Sequence, residues 1–313
     1  MRKILVLLMV CALMLGTTSF ALAQSDTIIR VGSKDFAEQF VLGQMIVLVL
    51  ENAGLKVEDR VNLGGSKVNR DALVNGEIDV YPEYTGTAIS NYFRDVTYAN
   101  IPEGASQNGY MSFATVSSLD AAVNDLIWLN PSPASNTYAL AIKRSFSEEN
   151  KMTSLEDFAK YINDGGKVVV AVDDEFAQRP DGLASFEKTY DFTFKEGQVL
   201  IIAGATPAQT QQMLNEDTNG VNVAMAFSTD GALLAYNFVV LSDDKGAQPV
   251  FQPAPVFRGS VLRANPQIPG LLNPVFASLD VVTLQGLNAQ VEVDGENPKE
   301  VARKYLTDKG FIK

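Results

Sequence analysis

Asp79-Val80-Tyr81-Pro82-Glu83-Tyr84-Thr85-Gly86-Thr87 joins a strand, a breaker and a helix start in one short run. Val80 and Tyr81 end the strand, Pro82 breaks it, a turn follows, and a helix begins near Thr85. A turn of that kind exposes a ring (Tyr84), a hydroxyl (Thr87) and unpaired backbone N–H groups at one point. The set suits a small ligand with an apolar cationic end and an anionic end.

Upstream, Thr27 to Gly32 reads as a strand and about Asp35 to Ala53 as a helix. Phe36, Phe40, Val41, Met45, Leu48 and Val49 fall at helical spacing in it, and Gly54 ends it. Leu55 to Leu63 is a second strand, Gly64-Gly65-Ser66 a turn, Lys67 to Asn75 a helix, and Ile78 to Tyr81 a third strand. Strand–helix–strand–helix–strand predicts right-handed crossovers and a parallel sheet, an α/β fold. Downstream, 97–118 reads as surface loop before a helix near Leu119 to Leu126, and Pro131-Ser132-Pro133 as a crossover. Tyr138 to Ile142, Lys167 to Val172 and Val221 to Phe227 are expected strands. Ser154 with Asp157 predicts a capped helix to about Asn163, and Pro207 to Leu214 another. Thr229 is expected to cap a helix, Asn265-Pro266 and Asn297-Pro298 to start two more.

Size and charge narrow the function. Arg2 and Lys3, the apolar run Ile4 to Leu15 and Ala21-Leu22-Ala23 form an export signal at 1–23, cleaved after Ala23. Cys11 lies inside that run behind Met9-Val10, so the exported chain is expected to be a soluble periplasmic protein with no lipid anchor and no cysteine. The chain has no histidine, so with Cys11 removed neither His- nor Cys-dependent catalysis is open to it. Loss of Arg2 and Lys3 takes the formal charge from −12 to −14, which offers no basic face for nucleic acid. About 290 residues exceed a single core, so two lobes are expected.

Ligands of open α/β sheets sit beyond the carboxyl ends of strands. After the first strand come Ser33 and Lys34; after the third, Tyr84 and Thr87. The loop after Val172 supplies Glu175 and Arg179, and Phe227 ends the strand from Val221. Tyr138 opens a strand beside Asn136, and Phe251 lies among prolines where the chain returns. A quaternary ammonium has no N–H to donate, so ring faces select it, each desolvated contact contributing roughly 0.5–2 kcal/mol. Taken singly, such rings are more often core, Lys34 a solvated charge, and Arg179 a surface pair with Asp181. Asp173-Asp174-Glu175 reads as solvated acids rather than a metal site.

The motifs together resemble the substrate-binding proteins of osmoprotectant ABC importers, the quaternary-amine uptake family that takes glycine betaine, proline betaine, choline and carnitine. The resemblance rests on Gly32-Ser33-Lys34-Asp35-Phe36-Ala37-Glu38-Gln39, Asn62-Leu63-Gly64-Gly65-Ser66, Tyr81-Pro82-Glu83-Tyr84-Thr85-Gly86-Thr87, Asn136-Thr137-Tyr138, Arg179-Pro180-Asp181-Gly182, Phe227-Ser228-Thr229-Asp230-Gly231 and Asn297-Pro298-Lys299-Glu300-Val301, in the family's order. It implies a type II periplasmic-binding-protein fold with mixed sheets and a cleft between lobes. Lobe 1 would be 26–134 plus 237–313 and lobe 2 would be 135–236, hinged near Pro133 and Phe238. It also implies an aromatic box of Tyr84, Tyr138, Phe227 and Phe251, with Lys34, Thr87 and Arg179 holding a carboxylate. Asn136 and Glu175 match positions near the box. Phe227 and Phe251 stand where the family generally has Tyr, which removes two hydroxyls; Phe257 is a nearby alternative to Phe251. No cofactor is implied; the partners are a small quaternary amine and a membrane permease, and a monomer is expected. Three rival readings remain open: the same fold holding an amino acid or other zwitterion; an exported lyase or hydrolase using Glu175 and Asp173 as acid and base; and a sensory or adhesive relative that keeps the fold but transports nothing.

Overall fold

Among the described residues, ten short strands carry the architecture: β1 (Ile29–Gly32), β2 (Val57–Arg60), β3 (Val80–Tyr84), β4 (Leu126–Trp128), β5 (Tyr138–Lys143), β6 (Val170–Asp173), β7 (Val199–Ile202), β8 (Val223–Phe227), β9 (Phe238–Val240) and β10 (Pro253–Arg258). The computed structural model describes residues 28–94, 96 and 100–313; the expected export signal lies outside them. The strands form two five-stranded sheets, ordered β2-β1-β3-β10-β4 and β7-β6-β8-β5-β9. In the first, β1 pairs parallel with β2 and β3, as the crossover helices Ala37–Asn52 and Ser66–Val74 require. β10 runs antiparallel between β3 and β4, so the sheet is mixed. The second sheet repeats the scheme, with β6 parallel to β7 and β8, and β5 antiparallel between β8 and β9.

Pro82 does not break its strand. β3 continues through it to Tyr84 and passes straight into helix at Thr85, with no turn between. Pro82 faces Pro255 across the β3–β10 ladder. The carbonyls of Pro253 and Pro255 accept from Ser132 and Leu129 on the far side of β10, so this pair exchanges no ladder bonds. The side of Pro82 that lacks an N–H faces beyond the end of β1, which pairs with β3 only at Val31–Val80. Asp79, at the head of the same stretch, accepts from Arg30 N (2.9 Å), Nε (2.8 Å) and Nη2 (2.9 Å) and so pins β1 to β3.

Other boundaries move as well. The helix expected at 119–126 occupies Gly109–Asn124, capped by Asn108, and Leu126 belongs to β4 instead. The loop after Val172 is a short helix, Asp174–Gln178, because the Asp173 carboxylate caps it at Phe176 N (2.6 Å). Thr229 caps nothing; the next helix, Ala232–Ala235, follows Gly231. Asn265 ends a helix rather than starting one. The Ser154–Asp157 capping box and the Asn297-Pro298 start are present as read.

The Ala37–Asn52 helix is buried nearly all round, from Val41 to Leu50, because the sheet covers one side and the C-terminal helices Ile268–Ala277, Val281–Glu292 and Pro298–Asp308 cover the others. Hence its apolar residues outnumber the single stripe expected. The second sheet has its own core around Phe158, Phe176 and Phe186. The chain passes between sheets twice. The first passage follows β4, where Pro131–Pro133 was read as the crossover. The return expected at 237 comes later: β9 pairs with β5, and Asp243 and Ala247 stay on the second lobe through Tyr190 and Ser185. The chain leaves only between Ala247 and Pro253, so Phe238 is a strand residue and no hinge. The two passages run side by side, with Asn136 N donating to Phe251 O (2.8 Å) and Phe251 N to Ser135 Oγ (2.9 Å).

Candidate functional site

A cavity of about 300 Å³ lies between the two sheets, where the strand ends of both lobes meet. All nine residues selected from the sequence line it: Lys34, Tyr84, Thr87, Asn136, Tyr138, Glu175, Arg179, Phe227 and Phe251. Each sits at or just beyond a strand end, or on a passage between the lobes. Lys34 follows β1, and Tyr84 and Thr87 span the β3-to-helix junction. Tyr138 and Phe227 are opposed across the β5–β8 ladder. Asn136 and Phe251 come from the two passages between lobes. Phe257, by contrast, sits opposite Val80 inside the first core, away from the cavity.

The rings form one connected group. Tyr138 lies 4.9 Å from Phe227 and, edge-on, 5.7 Å from Phe251. A fifth cavity-lining ring joins it: Phe36 stacks on Phe227 at 5.5 Å and on Tyr84 at 6.3 Å. The helical spacing placed Phe36 in the core stripe. Its backbone is extended (φ −141°, ψ 162°), one residue before the helix begins, which releases the ring from that stripe. The usable signal was its place two residues beyond Lys34 at the same strand end.

The cations enter the cavity already partnered. Lys34 Nζ is 2.6 Å from Glu83 Oε1 and 4.9 Å from the Tyr84 ring centre. Glu83 is fully buried and also accepts from Tyr81 OH (2.7 Å), Tyr92 OH (2.8 Å) and Tyr84 N (2.7 Å), so its charge is well compensated. Arg179 does pair with Asp181, but in a buried two-pronged contact (Nε–Oδ1 2.8 Å, Nη2–Oδ2 2.7 Å), not at the surface. Its Nη1 donates to Glu175 Oε1 (2.9 Å), and its guanidinium lies 5.3 Å from Tyr138 and 5.9 Å from Phe251. Burial opposes the Arg179 charge, yet Tyr138, Asp181 and Glu175 outweigh it and hold the pKa well above the usual arginine value. Glu175 also accepts from Ser66 Oγ (3.1 Å) across the cleft, joining the lobes at its mouth.

Behind the rings lies Glu38, buried, which accepts from Tyr84 OH (2.7 Å), Asn136 Nδ2 (2.9 Å) and Asn288 Nδ2 (3.0 Å). Burial, with Glu38 close by, raises the Tyr84 pKa well above its usual value, so its phenol stays a donor. Burial likewise raises Tyr138, and pushes Asp173 up to about 6 against the opposing hydrogen bond from Phe176 N. A buried group of rings with compensated cations can hold a cationic, weakly hydrated head without offering it hydrogen bonds.

The family model described as "Substrate binding domain of ABC-type glycine betaine transport system" matches residues 27–308. The chain belongs to that family. It is 43% identical over 300 residues, 96% of each chain, to the glycine betaine-binding protein YehZ of Escherichia coli, and the ligand-free structure of YehZ superposes with a TM-score of 0.70 over 91% of this chain and 99% of that one. A glycine-betaine-binding protein of Pseudomonas aeruginosa is 32% identical over 98% of this chain and 94% of its own. A glycine betaine/carnitine/choline ABC transporter protein, 23% identical, shares the fold with a TM-score of 0.73 over 91% of this chain and all of that one. Members of the family are two-lobed α/β binding domains of transport systems, not enzymes. The two acids weighed as catalysts have other duties: Asp173 caps a helix and Glu175 holds Arg179 and Ser66.

Proposed function

We propose that the chain is exported to the periplasm, captures a small quaternary-ammonium osmoprotectant in the interlobe cavity, and delivers it to an ABC permease. One observation carries the reading: rings from both lobes, Phe36 and Tyr84 on one side and Tyr138 and Phe227 on the other, converge with Phe251 on one cavity in a chain of this family. A methylated onium head of that size is recognised through ring faces alone, each face contributing roughly 0.5–2 kcal/mol when desolvated. Thr87 and the N–H groups left over on Lys34 and Arg179 meet the other end of the ligand. Closure brings the two sets of rings together, so ligand and closed form stabilise each other. The names of the relatives support the ligand class: two are glycine betaine binders, and a carnitine-binding protein of Listeria monocytogenes is 25% identical. Calorimetric titration with glycine betaine, choline, carnitine and proline betaine tests it. Saturable heat with at least one is expected; none with any of the four removes the ligand class.

A further inference from the structure

Beside the interlobe cavity lies a second, more open hollow of about 490 Å³. The two share part of their lining: Gly65 and Ser66 from the first lobe, Glu175 and Arg179 from the second. Ser66 Oγ donates to Glu175 Oε1 (3.1 Å) and Arg179 Nη1 donates to the same oxygen (2.9 Å), so the bridge that joins the lobes is a wall of both spaces. That wall can give way on one side only. The Glu175 side chain is 43% exposed, whereas Arg179 is buried in its two-pronged grip on Asp181.

The outer hollow is built from the start of the Ser66–Val74 helix and from Tyr92. Its charges are already paired. Asp120 holds Arg70, which lies 4.7 Å from the Tyr92 ring centre; Lys67 pairs with Asp71, and Arg179 with Asp181. Tyr92 is fixed in turn, its hydroxyl 3.1 Å from Ser66 O and 2.8 Å from Glu83, the same buried carboxylate that holds Lys34. With the charges satisfied, the hollow offers a ligand chiefly the Tyr92 ring and Val68, which is 50% exposed and lies outside the inner cavity.

We propose that this hollow is a second subsite: it takes the apolar alkyl or acyl tail of an onium compound whose methylated head occupies the inner cavity. The occupant follows from continuity, because a ligand that reaches Arg179 from inside has the outer hollow directly beyond the Ser66–Glu175 bridge. The proposal rests on the onium reading above and extends it from compact osmoprotectants to quaternary amines that carry a tail. Each methylene fully buried there adds roughly threefold to fourfold in affinity.

Calorimetry on the full exported chain with ethyltrimethylammonium and hexyltrimethylammonium tests it. The hexyl compound is expected to bind at least about tenfold more tightly. Val68→Asn is expected to remove most of that advantage while the ethyl compound binds as before. Val74→Asn, at a residue on the same helix that is also exposed but lies outside the hollow, is expected to keep it. A hexyl compound no tighter than the ethyl one, an advantage that survives Val68→Asn, or one lost equally in Val74→Asn overturns the proposal and leaves the onium reading standing. Heat from neither compound overturns the proposal, and the onium reading with it if the four osmoprotectants are silent too.

Discussion

At the scale of single residues, the tyrosines of the strands near the cavity divide into two kinds. Tyr84 and Tyr138 present rings to the cavity, whereas Tyr81 is fully buried in the first lobe with its hydroxyl on Glu83. Tyr138→Ala and Phe36→Ala are therefore expected to weaken onium binding by about 1–2 kcal/mol each in protein that still folds. Tyr81→Ala is expected instead to lower stability by roughly 3 kcal/mol, since it opens a core cavity and removes a donor from a buried carboxylate. Titration calorimetry paired with thermal melts checks the contrast; equal affinity losses at all three positions in folded protein would contradict it. Which residues line the cavity was largely legible in the sequence because most of them sit beside strand ends, a feature of local order. What was not legible is what those residues touch. Glu83 lies 49 positions from Lys34, and no spacing rule announces that it neutralises the ammonium. Phe36 was hidden by a backbone dihedral, not by its neighbours in sequence.

Among elements, capping chemistry read true where the side chain had one partner to choose, as at Ser154–Asp157 and Asn297. Readings failed where tertiary pairing overrode a local rule. Pro82 is tolerated in β3 because its blank side meets no strand, and β4 escaped notice because three residues suffice when β10 supplies the ladder. A less visible seam joins the Val281–Glu292 helix to the segment after β8. Gln285 and Asn288 donate to the carbonyls of Ser228 and Thr229 (2.9 and 2.8 Å), and Gly231 N donates to Glu292 (3.0 Å). Gly231 lies so close that a Cβ would fall 2.2 Å from Ala289 N. Burial raises the Glu292 carboxyl to about 7, against its backbone hydrogen bonds, and burial beside Glu292 raises Asp230 well above the usual range. An acid whose pKa is raised on folding stabilises the folded state fully below its unfolded value and loses that contribution as pH rises through the folded value. The fold is thus expected to lose about 2 kcal/mol between pH 5 and pH 8 through this seam. Denaturant unfolding at the two pH values measures the loss, and Glu292→Gln is expected to reduce it, leaving the part that burial of Asp230 contributes. An unchanged pH dependence in that variant would contradict the assignment.

Over the whole molecule, the two sheets are alike in plan: each carries an antiparallel strand inserted beside parallel ones, and their strand ends face each other across the cleft. The separate strand–helix units were legible in the sequence, but not the plan they share. The place where the chain returns was not legible either, because β9 pairs by long-range contact with β5 before the chain leaves the second lobe. The same two passages that join the lobes also carry Asn136 and Phe251, so the connections between lobes and one wall of the cavity are one structure. On the proposed function, ligand at the wall is expected to bias the angle between lobes directly. The most direct test is a crystal structure of the exported chain grown with choline or glycine betaine. The account predicts the methylated nitrogen in the interlobe cavity within about 6 Å of the ring centres of Tyr84, Tyr138 and Phe227 or Phe36. A ligand bound elsewhere, or one in the cavity held by Lys34 and Arg179 with no ring about its nitrogen, would contradict it.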